Sequence, residues 1–290
     1  RQRQMCIRDR GYRTRTRFSK FKNLPELMTL YAEFADLLPE GTVKLDIPEA
    51  EKKIITLKPS ESVIELTRQI AERADRVYQG IVDPHEDNML KIASDGKKLA
   101  LDPRCLDLFA ADEAGNKLNA CAAEVYEYWK QTEEFQGTQL VFCDLATPKQ
   151  TFESYECGKN FDAYNELKCK LVEKGIPQEQ IAYIHEAKND NEKLNLFNKV
   201  NAGKIRILLG STEKCGAGTN VQKRLKAIHH LDAPYRPRDL IQRNGRGVRQ
   251  GNMNKSVAIC TYVMERTFDS YSYQILENKQ RFISQIEHGE

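Results

Sequence analysis

From Thr138 onward the apolar positions fall into short runs separated by longer amphipathic stretches. Thr138 to Cys143 (TQLVFC), Ile181 to Ile184 (IAYI), Ile205 to Leu209 (IRILL), Ala227 to Leu231 and Val257 to Val263 are brief and rich in β-formers, which predicts strands. Between them, Phe161 to Glu173, Asn191 to Asn201 with Leu194, Phe197 and Val200 inward, a stretch starting near Pro237, and Thr267 to Ile286 have helical spacing. Strands alternating with helices of this kind read as βαβ units, so the expected fold is α/β, a parallel sheet flanked by helices with right-handed crossovers. Functional groups of such sheets gather at the carboxyl ends of the strands. That rule singles out the loops after Cys143, Leu209 and Leu231 and the turns around Gly245.

Upstream of Thr138 the pattern is helical. Leu24 to Leu38 carries an apolar stripe that Pro39 and Gly41 terminate, and Ser60 can cap a second helix through Tyr78 with Val63, Leu66, Ile70, Ala74 and Val77 on one face. Asp83 to Pro103 is polar and turn-rich, and a further helix is expected from about Asn119 to Glu134 around Val125, Tyr126 and Trp129. A helical surface rather than a sheet is the expectation here. Length fits this division, since 290 residues exceed one ordinary domain and fall short of two. Residues 1–11 read as an artefact or a disordered start, 12–137 as the end of a preceding lobe followed by a helical linker with insertions, and 138–290 as the α/β domain. No stretch approaches the ~18 consecutive apolar residues of a membrane span.

Charge changes the picture. The net charge of +3 hides two basic islands, at residues 1–22 with nine Lys/Arg against one acid and at 223–255 with nine against two, in an otherwise acidic body. A charge run is ordinarily a solvated face, but the second island is interleaved with Gly, Pro, Gln and Tyr, and the expectation is a surface facing phosphates. The eight cysteines form no CxxC pair and no metal-ligand spacing with His, which predicts a reducing compartment and no structural zinc.

The first residues read differently again. Gln4 to Arg10 (QMCIRDR) resembles the translation of a mosaic-end sequencing adapter, so the natural protein is expected to extend upstream. A cleavable signal is the alternative, but Arg1 to Arg10 contains no apolar h-region.

Two loops carry candidate chemistry. After IRILL comes Gly210 to Gln222, where Gly216 and Gly218 let backbone amides approach a ligand while Ser211, Thr212 and Lys214 can reach phosphate. A plain strand-to-helix turn is the bland alternative. In Gln242 to Gln250 (QRNGRGVRQ), Gln242, Arg246 and Arg249 share one face if the stretch is helical, and paired guanidiniums suit a polyphosphate. Gly245 and Gly247 disfavour an unsupported helix there, which points to geometry imposed by a site. His229, His230, Cys143, Cys215 and Trp129 are expected to be packed side chains rather than metal ligands, nucleophiles or a base-stacking platform.

The order QLVFC, then ILLGS before GAGTNVQ, then LDAPYRPRDLIQRNGRGVRQG resembles motifs IV, V and VI of superfamily 2 helicases and translocases. GAGTNVQ, the Tyr235-Arg-Pro step and the Tyr262 to Lys279 tail are similar to the Swi/Snf type of double-stranded DNA translocase. RTRFSKFKNLPEL (Arg15 to Leu27), DNMLKIASDGKKLALDPR (Asp87 to Arg104), GTQLVFCDLATPK and TFDSYSYQILENKQRFISQI resemble the helicase portion of large phage and mobile-element proteins that also carry a DNA methyltransferase. The resemblance implies a second RecA-like lobe from Thr138 to Glu290. It also implies that Arg246 and Arg249 are arginine fingers for ATP, positioned by Gln242. Gly216, Gly218 and Asn220 would then couple nucleotide to DNA, while Ser211, Thr212, Lys214, Asp144 and Lys149 would face the DNA backbone. The implied partners are double-stranded DNA, an N-terminal helicase lobe and a methyltransferase domain, in the cytoplasm of a bacterial or phage-infected cell. No GxxxxGK[ST] loop and no Asp-Glu pair ending an apolar strand occurs in these residues, so Mg2+ and the phosphates of ATP would be held by the other lobe and the chain alone should not hydrolyse ATP. A non-catalytic nucleic-acid-binding module derived from such a lobe is the alternative.

Overall fold

The computed structural model describes residues 2–8, 11–17, 24–34, 45–148, 151–156, 161–215 and 218–288. β1 (Gln2–Arg8) and β2 (Gly11–Arg17) pair antiparallel in a sheet of their own, followed by α1 (Leu24–Ala32). Next come β3 (Glu49–Leu57), α2 (Glu61–Tyr78), α3 (Met89–Leu101) and α4 (Lys117–Gln131). The expected alternation then follows as β4 (Thr138–Phe142), α5 (Ala163–Glu173), β5 (Ile181–Tyr183), α6 (Asp190–Asn201) and β6 (Ile207–Gly210). It continues through β7 (Leu225–His230), α7 (Pro237–Asn244) and β8 (Ser256–Met264) to α8 (Phe268–His288).

The main sheet has the order β3-β8-β7-β4-β6-β5, and every adjacent pair is parallel. Its central strands are apolar on both faces because helices cover both sides. In β4, Val141 enters the cluster that holds Leu118, Val125 and Leu167, whereas Leu140 and Phe142 enter the opposite cluster with Phe197, Val200 and Ile228. β8 alternates in the same way, Ala258, Cys260 and Tyr262 on one side and Val257 and Ile259 on the other. This is the period-two rule applied to a sheet buried on both sides. Each fully buried Leu or Val contributes roughly 1.5–3 kcal/mol.

Two expectations for the upstream region need correction. β3 is a strand in a region expected to be helical, and it joins the main sheet in register from Glu49 opposite Ser256 to Leu57 opposite Met264. Its sequence, EAEKKIITL, is polar because it is an edge strand exposed over most of its length, and charged edges discourage pairing with other chains. The segment Asp83 to Pro103, read as turn-rich, contains α3, whose first turn is capped by the Asn88 side chain accepting from the Lys91 amide at 3.0 Å. Gly96 permits the close docking of α8 on this helix, since a Cβ there would lie 3.1 Å from the Phe268 Cβ. The Ser60 cap on α2 is present, its hydroxyl accepting from the Val63 amide at 3.2 Å.

The helices before Thr138 are joined to the sheet by buried charge as well as by apolar contact. Lys117 of α4 is 1% exposed, pairs with Asp269 and donates to the Leu231 carbonyl at 3.0 Å. Arg104 bonds Asp102, Asp112 and Glu166, tying the end of α3 to α5. Trp129 packs as expected, its indole N–H donating to Gln180 at 2.8 Å with the Arg206 guanidinium over its ring. Cys105, Cys121, Cys143, Cys215 and Cys260 are free thiols, while Cys169 is disulfide-bonded, which departs from the expectation of uniformly reduced cysteines.

Candidate functional site

The loops after β4, β6 and β7 converge with α7 at the carboxyl edge of the sheet, and a single side chain joins them. Arg243 has a side chain 0% exposed. Its guanidinium donates to the Asp144 carboxylate at 2.8 Å, to Asp232 at 2.9 Å and to the Thr212 hydroxyl at 2.7 Å, and it lies over the Phe142 ring. Burial pulls its pKa down, but the two carboxylates outweigh burial and hold it above the ordinary arginine value. Asp232 in turn accepts the amides of Asp144 and Leu145 at 2.5 and 2.9 Å. Asp144 accepts the Thr212 amide at 2.6 Å and its hydroxyl at 2.8 Å. The hub joins one guanidinium to two carboxylates, one buried at Asp232 and one partly open to solvent at Asp144.

Arg243 was no candidate from the sequence, although its neighbours were. It is adjacent to Gln242 in a run of arginines, and only burial distinguishes it from the others. Of the residues expected to face DNA, the Asp144 carboxylate and Thr212 also direct polar atoms to Arg243 and to each other. Ser211 is buried, its hydroxyl accepting from the Lys214 amide at 3.3 Å, and Lys214 is exposed. Gly216 and Lys149 lie outside the described residues.

α7 ends at Asn244, so Gln242, Arg246 and Arg249 do not share one helical face. Gly245 to Gly247 form a turn instead, and Gly247 packs on the sheet, where a Cβ would approach Ile228, Val257 and Leu225 to within 3.0–3.1 Å. The turn carries Arg246 and Arg249 back to the loop before β7. Arg246 is half-buried and donates to the Thr219 carbonyl at 3.2 Å, and Arg249 is exposed and donates to the Asn220 side chain at 3.0 Å. Burial and the neighbouring Arg249 charge pull the pKa of Arg246 below the ordinary value. Two cations held this close repel each other, and an anion between them would relieve the cost. Gly218, with φ +76°, takes the left-handed conformation glycine favours and has open space where a Cβ would stand. Gln242 lines an open cleft of about 510 Å³ with Asp144, Thr147, Ser211, Thr212, Glu213 and Asp239.

The degree of burial separates the two arginines. Arg249→Ala should leave stability within about ±0.5 kcal/mol, as for most surface changes. Arg246→Ala should cost about 1 kcal/mol, the usual worth of one partly buried hydrogen bond. Urea unfolding of both variants checks the ranking, and equal effects would contradict it.

The basic island does not form one face. Lys223, Arg224, Lys226 and Lys255 stand where β7 and β8 begin, Arg236 and Arg238 stand beyond the carboxyl end of β7, and Arg243 is interior. A parallel strand separates its two ends by its full length, so consecutive segments of sequence reach opposite edges of the sheet.

His229 and His230 are packed side chains, as expected. His229 bonds the Tyr262 hydroxyl and Gln139, both at 2.9 Å, and His230 bonds Asn244 of α7 at 2.8 Å. Burial depresses both pKa values from 6.5 to about 3. The unfolded chain therefore takes up protons below pH 6.5 that the folded chain refuses, so this stability is present above pH 6.5 and is lost progressively toward pH 3. Each histidine should cost about 2 kcal/mol between pH 7 and pH 5. His229→Gln should reduce the pH 7 to pH 5 loss by that amount in urea titrations; an unchanged loss would refute the account. The Cys143 and Cys215 thiols are pushed up by burial, Cys215 to about 12, and so are held protonated.

Residues 128–251 match the family model of the helicase conserved C-terminal domain. The chain is 32% identical to Defense against restriction protein B of Escherichia phage P1 over 191 residues, covering 52% of this chain and 8% of that protein. This chain therefore matches only a small part of that relative's length. Among solved structures, the C-terminal part of the Fun30 ATPase domain superposes with a TM-score of 0.56 at 15% identity, covering 79% of this chain and 90% of that one. The Sulfolobus solfataricus SWI2/SNF2 ATPase C-terminal domain superposes with a TM-score of 0.53 at 11% identity, covering 80% and 87%. Among the described residues no helix is long and apolar enough to cross a membrane. This chain thus carries, at residues 128–251, a helicase conserved C-terminal domain, in an α/β sheet folded like the C-terminal lobes of SWI2/SNF2 ATPases.

Proposed function

We propose that this chain is the C-terminal motor lobe of an ATP-dependent translocase or helicase acting on double-stranded DNA. The observation that carries the reading is the pair Arg246 and Arg249, held near each other on Thr219 and Asn220. In this reading both guanidiniums point across a cleft toward phosphates bound by an N-terminal lobe, where charge grows in the transition state. The residues fit the group: planar cations match phosphate oxygens, and the turn between Gly245 and Gly247 lets the chain bring both to one loop. ATP would supply the cleavable phosphoanhydride, and its Mg2+ and phosphate loop would belong to the partner lobe. The Arg243 hub keeps Gln242 and the loops after β4, β6 and β7 in fixed relation, so closure of the partner lobe would be felt at Ser211 and Lys214, two of the positions assigned to DNA. A methyltransferase domain in the same polypeptide extends this proposal, and the name of the phage P1 relative, which speaks of defence against restriction, supports a role beside DNA modification.

The test joins this chain to an N-terminal helicase lobe and measures DNA-stimulated ATP hydrolysis. Turnover that needs both lobes supports the motor reading. An upstream sequence without a phosphate-binding loop, and no turnover by the chain in either form, would establish the non-catalytic binding module instead.

A further inference from the structure

We infer that the amino edge of the main sheet, at the other end of the strands from the cleft lined by Asp144 and Gln242, is a second surface for polyanions and that it takes the phosphate backbone of duplex DNA. Six cations gather there: Lys199, Lys204, Lys223, Arg224, Lys226 and Lys255. Backbone and side-chain contacts make the patch continuous. The Lys204 amide donates to the Lys199 carbonyl at 3.0 Å, and the Lys223 amide to the Asn201 side chain at 3.3 Å. Arg224 donates to the Asn201 carbonyl at 3.2 Å, the Met253 amide to the Lys223 carbonyl at 2.9 Å, and Lys226 to the Ser256 hydroxyl at 3.0 Å.

What distinguishes these cations is the nature of their partners. Among the described residues Arg224 bonds the carbonyls of Asn201 and Phe135, and the buried Arg206 bonds the carbonyls of Gly137 and Trp129 and the Thr132 hydroxyl. Neutral acceptors satisfy the donors and leave the charge uncompensated. Among the described residues none of the six has an ion pair with a carboxylate, whereas Arg104, Lys117 and Arg243 elsewhere in the molecule are each paired with acids. Glu49, whose amide donates to the Lys255 carbonyl, and Glu133, whose charge acts on Arg206, are two acids against six cations. The motif cleft at the other edge, by contrast, is lined by Asp144, Glu213 and Asp239. Uncompensated positive charge therefore concentrates away from that cleft, and it continues toward Arg249, because Asn201 also donates to the Asn220 carbonyl at 2.7 Å.

The chemistry favours a nucleic acid over an acidic protein. Protein interfaces are built around an apolar or aromatic core, and here the exposed apolar side chains are Met253 and Phe135, at 66% and 41%. Flexible lysine heads around a polar centre suit phosphates, which ask for charge rather than shape. A duplex contacting this edge as well as the motif loops would be held at two places on one lobe.

The experiment measures anisotropy of a fluorescein-labelled duplex titrated with this chain at increasing salt. Lys223→Glu with Lys255→Glu should weaken binding at least about tenfold at low salt and flatten the plot of log affinity against log salt by about two contacts. Arg236→Glu with Arg238→Glu, on the carboxyl edge, should do less. Lys223→Gln with Lys255→Gln, which removes charge without adding any, should follow the same ranking, and thermal melts should show all variants folded. Unchanged affinity in the amino-edge variants, or the whole loss falling on the carboxyl-edge pair, overturns the inference. A duplex bound no more tightly than polyglutamate of equal charge would assign the surface to an acidic protein and overturn it too. None of these readouts involves ATP, so the motor reading stands or falls separately on turnover.

Discussion

Arg243→Ala should lower the stability of the lobe by about 3–5 kcal/mol, the cost of removing one partner from a buried ion pair. The physical reason is what remains behind. Asp232, 5% exposed at its side chain, and Asp144 would keep their charges while losing the cation that compensates them, and the Thr212 hydroxyl would lose its donor. The effect should be mostly electrostatic rather than volumetric, and a second variant separates the two. Arg243→Met fills much of the same space, so it should remain strongly destabilised, whereas adding Asp232→Asn to it should recover part of the loss by removing one orphaned charge. Urea unfolding at pH 7 measures all three. A loss below about 1 kcal/mol for Arg243→Ala would mean that water or a rearranged side chain replaces the guanidinium and that the hub holds nothing together.

Arg246→Ala in a two-lobe protein should reduce DNA-stimulated ATP turnover by roughly 10³-fold or more while leaving ATP binding largely intact, since a finger arginine acts on charge that appears in the transition state. Arg249→Ala should fall in the same direction. The contrast with Arg243 makes the test specific. Arg243 variants should lose folding and turnover together, but Arg246→Ala should lose turnover with only about 1 kcal/mol of stability. Single-turnover hydrolysis at saturating DNA, beside nucleotide-binding titrations, gives the needed split. Full turnover by Arg246→Ala would remove the finger role and leave the residue as a brace for the Thr219 backbone.

Much of the fold was legible because period and length are local properties. The runs TQLVFC, IAYI and IRILL are too short and too rich in β-formers to be helices, the intervening amphipathic stretches are long enough to be, and their alternation implies a parallel sheet. The carboxyl-end rule for parallel sheets likewise singled out the loops where Thr212, Asp144 and α7 meet. β3 was hidden for an equally local reason: an edge strand with one partner needs few apolar residues, so EAEKKIITL has none of the signature of a strand buried on both faces. α3 was hidden because its cap, Asn88, sits within a polar run that masks its apolar stripe.

By itself, then, the sequence determined the element types from Thr138 onward and the parallel α/β class, and it singled out the loops that meet at Arg243. Only the tertiary structure decided which of the arginines is which. Arg243, Arg246 and Arg249 are the same residue type within seven consecutive residues at the end of α7 and the turn after it, yet one is a buried pivot, one is half-buried against a carbonyl and one is exposed. The distinction arises because α7 stops at Asn244 and Gly247 lies flat on β7 and β8, which turns successive side chains toward the interior, the loop and the solvent. The same holds for charge. A basic island contiguous in sequence is divided between two edges of a parallel sheet, because each strand carries the chain from one edge to the other, and no count of residues along the chain contains that separation.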